Sequence, residues 1–118
     1  AVGLVLPELK GKIDGFSVRV PTASVSLVDL VTELEQEVTP AKVNEAFQQA
    51  AAGSKYLAFS DEPLVSSDYK ANAYSSTVDG LSTMVVGGNL VRIVAWYDNE
   101  WAYSCRVADL ASLIAGRE

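Results

Sequence analysis

Apolar and polar positions change period several times along the chain, and each change marks an expected element. Ala1–Leu9 (AVGLVLPEL) is apolar from its first position, with no capping residue ahead of it. It reads as a helix already under way, with Pro7 near its end and a turn at Lys10–Lys12. A chain that opens inside an element reads as a piece excised from a longer protein. From Ile13 the period shortens to two: Phe16, Val18 and Val20 alternate with Ser17 and Arg19 until Pro21. That spacing predicts a strand with Arg19 on its polar side. A longer strand is expected over Ser24–Glu35, antiparallel to the first, with Val28, Leu30, Thr32 and Leu34 on one face.

The period then lengthens. Thr39 is placed to cap a helix, Pro40 suits its first position, and Val43, Ala46, Phe47 and Ala50 recur at helical spacing until Gly53. Short strands are expected at Tyr56–Phe59, Leu64–Ser67, Ser75–Val78 and Ser82–Val86, separated by turn-forming Asp, Pro, Asn and Gly. In MVVGGNLVRIVAWY, Gly87 and Gly88 supply the positive φ values of a tight hairpin. A last helix is expected after Asn99 as its cap, with Tyr103, Val107, Leu110, Ala111 and Ile114 along one stripe. Hairpins and two later helices without regular β-α-β alternation predict one α+β domain over residues 1–118, an antiparallel sheet with helices on one face. Its other face, rich in Val and Leu, would be apolar, and such faces mark oligomer interfaces.

Composition narrows the function. Apolar residues make up 49% of the chain and charged residues 20%, values of a soluble globular protein. No apolar run approaches the roughly 20 residues needed to span a bilayer, and the first residues carry no basic start of a signal peptide. The expected location is cytoplasmic, with no membrane partner. A net charge of −6 with scattered basic residues argues against nucleic acid. A single cysteine forms no internal disulfide, and the chain holds no histidine. No metal site is expected.

Six collinear segments then point to one family: LPELKGK (Leu6–Lys12), RVPT (Arg19–Thr22), SLVDL (Ser26–Leu30), DEPLVSSD (Asp61–Asp68), SSTVD (Ser75–Asp79) and AWYDNEWAYSCRVADL (Ala95–Leu110). Together they resemble the later two-thirds of the catalytic domain of phosphorylating glyceraldehyde-3-phosphate dehydrogenases. The nucleotide-binding domain, the nucleophile's SCTTN-type segment and the catalytic histidine have no counterpart in these residues. The resemblance implies the α+β catalytic fold. It also implies a parent enzyme in which a thiolate attacks an aldehyde, hydride passes to NAD or NADP, and inorganic phosphate releases an acyl phosphate. Ala102, where the family commonly has glycine, and Tyr74, where a histidine is common, depart from its pattern.

By the same resemblance Arg19 contacts the phosphate groups of the substrate and of the incoming phosphate, work suited to a permanently charged fork of N–H donors. Asn99 meets the nicotinamide carboxamide, for which an amide offers both donor and acceptor. Tyr103 and Glu100 flank that contact. Read from the residues alone, Arg19 is a solvated strand arginine, Asn99 a helix cap, Tyr103 a core residue, and Asp98 and Glu100 acids that favour a helix dipole. Cys105 reads as a small buried apolar residue, since nothing nearby would activate it. No catalytic residue is expected in this chain, no cofactor bound to it alone, and no turnover from it. Its partners would be a phosphorylated aldehyde, inorganic phosphate and copies of itself. The alternative is a non-catalytic oligomerisation or interaction module that keeps the family's interface sheet.

Overall fold

The computed structural model describes residues 2–116, so Ala1, the first residue of the expected N-terminal helix, lies outside the described residues. That helix is short: α1 spans Val2–Val5, and Pro7 opens a separate 3-10 turn, Pro7–Leu9. Then β1 (Ser26–Glu33), α2 (Pro40–Ala51), β2 (Leu57–Ser60), β3 (Ser76–Val86), β4 (Leu90–Tyr97) and α3 (Trp101–Ile114) follow.

The strands form one sheet in the order β1-β4-β3-β2. β4 pairs antiparallel with β1, from Ser26 opposite Tyr97 to Glu33 opposite Leu90, and antiparallel with β3 on its other side. The class is α+β as expected, and the sheet is antiparallel except at one edge, where β2 runs parallel to β3. The connection between them, too long for a hairpin and including a 3-10 turn at Ser66–Tyr69, gives the chain the length a parallel crossover needs. The strand expected at Leu64–Ser67 is therefore absent; the Asp68 carboxylate accepts from Val65 N–H at 2.8 Å and winds this segment into the turn.

Likewise the two strands expected at Ser75–Val78 and Ser82–Val86 are one, β3, with an irregularity between Asp79 and Met84. Asp79 bridges the break: Oδ1 accepts from Leu81 N–H (3.1 Å) and Ser82 N–H (3.2 Å), and Oδ2 accepts from the Ser82 hydroxyl (2.9 Å). These bonds replace lost ladder partners, so the chain bends without ending the strand. Gly80 sits at the bend because the Phe59 ring lies where its Cβ would be, and its carbonyl accepts from Asn44 Nδ2 of α2 at 2.9 Å. Gly87 (φ 61°) and Gly88 (φ 86°) turn β3 into β4 as the sequence requires.

α2 forms as its sequence dictates. Thr39 Oγ1 accepts from Lys42 N–H at 3.3 Å, Pro40 occupies the first turn, and Val43 is buried where the helix meets β2 and β3. The core is small: Val78, Val91, Val94 and Ala95 of the central strands, with Val25, Val43, Tyr69 and Ala102 around them. Tyr69 stacks on Trp96 with ring centroids 5.6 Å apart. Val91, on the central strand β4, is only 1% exposed.

Two expectations fail where the partners are distant in sequence. Residues 13–20 form no strand and pair with nothing in the sheet; Phe16 is 93% exposed. Alternation provides a strand's faces, but not the neighbour whose N–H and C=O groups must pair with it. The apolar stripe of α3 also stays in solvent, with Tyr103 70% exposed and Val107, Leu110, Ala111 and Ile114 exposed as well. The inward side of α3 is instead Ala102, half-buried Cys105, Arg106 and Asp109, at helical spacing. Arg106 fixes that side: its guanidinium lies over the Tyr56 ring at 4.7 Å, donates to Ser75 Oγ at 3.0 Å and pairs with Asp109 at 2.8 Å.

Candidate functional site

The turn from β4 into α3 gathers several hydrogen bonds onto one carboxylate. Asp98 follows the last residue of β4 and is 4% exposed. Its Oδ1 accepts from the backbone N–H groups of Glu100 and Trp101, each at 2.9 Å, and its Oδ2 from Ala71 N–H at 2.8 Å. These N–H donors, Trp101 first and Ala71 next, hold the Asp98 carboxyl below the ordinary aspartate range despite the opposing effect of burial. Glu100 occupies the cap position of α3 without a side-chain cap bond of its own, and the Asp98 carboxylate serves the N–H groups there instead, which corrects the expectation for Asn99. A carboxylate two and three residues ahead of free N–H groups at a helix start reaches both of them. Ala71 adopts a left-handed backbone (φ 61°) where it meets Asp98, so this turn also fastens the 61–75 connection to the sheet.

Freed from capping, the Asn99 side chain turns toward β1, where the Ser26 hydroxyl donates to its Oδ1 at 3.3 Å. Two open hollows flank the turn. One, of about 270 Å³, is lined by Tyr97, Asp98, Asn99, Tyr103, Ser75 and Arg106 among others. The second, of about 210 Å³, is lined by Lys70, Asp98, Glu100, Trp101 and Ser24. Asn99 and Tyr103 thus share a hollow and Glu100 faces its neighbour. Arg19 lines neither. It is exposed in the 13–20 segment, and no hydrogen bond or ion pair holds it among the described residues. Tyr103, expected in the core, stands at the rim of the hollow instead.

The chemistry available here is recognition. An amide and a phenol beside a hollow can bind a small polar planar group, yet about 270 Å³ falls short of the roughly 300–1,000 Å³ of sites that enclose a whole ligand. Among the described residues no group of three or more His, Cys, Asp and Glu side chains could hold a metal ion, and no helix is long and apolar enough to cross a membrane. Sequence reading recognised Asp98 only as an acid near a helix start. Ser26 gave no local signal, being 73 residues from the side chain it touches.

Residues 1–99 match the family model described as glyceraldehyde 3-phosphate dehydrogenase, C-terminal domain, and the chain belongs to that family. It is 59% identical over 119 residues to the glyceraldehyde-3-phosphate dehydrogenase of Geobacillus stearothermophilus, covering 99% of this chain and 36% of that protein. Glyceraldehyde-3-phosphate dehydrogenase 1 of Bacillus subtilis is 60% identical over 117 residues, covering 98% of this chain and 35% of that protein. Glyceraldehyde-3-phosphate dehydrogenase 2 of a Synechocystis species is 51% identical over 117 residues, with the same two coverages. The chain therefore spans about a third of the length of these relatives.

Proposed function

We propose that this chain is the part of an NAD(P)-dependent, phosphorylating glyceraldehyde-3-phosphate dehydrogenase that helps to bind substrate phosphate and nicotinamide, and that it has no turnover alone. In this reading Arg19 holds the phosphate of a phosphorylated aldehyde and the inorganic phosphate that follows, through a planar fork of N–H donors. Asn99 holds the nicotinamide carboxamide, and Tyr103 and Glu100 line the surfaces on either side. The dinucleotide, when bound, supplies a hydride acceptor. The observation that carries the reading is Asn99 itself: an amide not used for capping, tethered by one hydrogen bond at the edge of a hollow, with Nδ2 partnered by nothing among the described residues. A hollow of this size suits the nicotinamide end of a dinucleotide and not the whole of it. The chain's sequence contains no histidine to pair with a thiolate, and half-buried Cys105 lies in α3 beside Arg106 and Asp109. Catalytic groups would accordingly come from the rest of the enzyme. Family membership favours this over a stand-alone assembly module. Like-for-like assembly through the exposed apolar surface and a cytoplasmic setting complete the proposal.

The test is a full-length enzyme in which these 118 residues replace the corresponding stretch of the Geobacillus relative. Arg19→Ala is expected to raise KM for the phosphorylated aldehyde and for phosphate by more than about tenfold, the scale of one lost charged hydrogen bond. Asn99→Ala is expected to raise KM for the dinucleotide alone. Both variants behaving as the parent would reject the assignment, as would NAD reduction by the isolated chain.

A further inference from the structure

We infer that Ser26 is a positioning residue for dinucleotide binding, acting through Asn99; this rests on the nicotinamide reading above. Ser26 opens β1 directly opposite Tyr97, so its side chain rises beside the turn two residues past the end of β4. Its hydroxyl reaches Asn99 Oδ1 at 3.3 Å, the one hydrogen bond made by that amide among the described residues. The terminal torsion of an asparagine is broad, so an untethered amide samples many orientations and must give them up when it binds a planar carboxamide. A hydroxyl on Oδ1 limits that freedom beforehand and leaves Oδ1 a second lone pair and Nδ2 for the ligand.

The chain entering β1 is shaped for this contact. Val25 is buried yet has φ 74°, a left-handed conformation that a β-branched residue rarely adopts. Its packing in the core offsets that strain. The backbone thereby swings from the exposed 13–23 segment into register with β4, with Val25 turned into the core and Ser26 toward the turn that carries Asn99. Since 3.3 Å is long for a bond donated by a hydroxyl, the expected effect is modest.

In the full-length enzyme carrying these residues, Ser26→Ala is expected to raise KM for the dinucleotide about fivefold, the size of one neutral hydrogen bond, with kcat nearly unchanged. Ser26→Thr, which keeps the hydroxyl, is expected to restore it. Asn99→Ala should raise KM at least as much, and adding Ser26→Ala to Asn99→Ala should change nothing further. A silent Ser26→Ala beside an impaired Asn99→Ala would overturn the role of Ser26 alone, and so would additive losses or failure of Ser26→Thr to restore KM. A silent Asn99→Ala would overturn the nicotinamide reading, and the role of Ser26 with it.

Discussion

The two residues proposed to touch ligands stand in contrasting surroundings. Asn99 follows a buried carboxylate that gathers three backbone N–H groups from two parts of the chain, and its own amide is tethered to a third. Arg19 sits on an exposed segment outside the sheet, among apolar side chains that face solvent. The contrast teaches that an amide, which recognises by orientation, is built into a framework of hydrogen bonds within this domain. A guanidinium recognises chiefly by charge and carries its donor geometry in its own plane, so it needs less support from its neighbours.

The contrast breaks most sharply at Asp98. Asp98→Ala leaves Ala71, Glu100 and Trp101 N–H groups without their acceptor and is expected to cost the chain about 2–3 kcal/mol, read by urea unfolding. Acid should reproduce part of that loss. Because the folded-state pKa of Asp98 is depressed, its contribution is complete above the ordinary aspartate range and disappears as pH falls below about 4, through the folded value. The gap in thermal stability between parent and Asp98→Ala should therefore narrow in acid; a constant gap down to low pH would contradict the assignment. Ala71→Gly sharpens the same point from the other partner. It relieves a left-handed alanine at an exposed position and is expected to stabilise by up to about 1 kcal/mol, visible as a higher Tm. Arg19→Ala should move stability by less than about 0.5 kcal/mol, since no hydrogen bond or ion pair holds that side chain among the described residues. A larger loss would show that the 13–20 segment is anchored through it.

What could be read in advance was local. The Thr39 cap, Pro40 and the stripe around Val43 define α2 within one stretch of chain, and Gly87-Gly88 defines its hairpin in the same way. Asn99 was legible as a candidate, because the segment carrying it resembles a known signature, but its capping role passed to Asp98, one position earlier. Pairing was not legible. Phe16–Val20 has a strand's alternation without a neighbour, Leu64–Ser67 gives way to a turn organised by Asp68, and Ser75–Val86 is continuous because Asp79 supplies bonds that sequence period ignores. The stripe of α3 was legible as a pattern, yet Arg106 anchors the opposite side to Ser75 and Tyr56, and that decides which way the helix faces.

At the far side of the sheet, β1 has a neighbour on one flank only among the described residues. Its free flank offers a row of backbone donors and acceptors beside exposed Leu27, Val28, Leu30 and Val31, a ready template for another extended chain. Asp29 does little to discourage such a visitor, because Arg92 on the inner neighbour holds its carboxylate at 2.8 Å and neutralises it. Concentrated solutions of this domain should accordingly grow sheets outward from β1, and Glu33 at its tip is the one charge on that strand left to slow them.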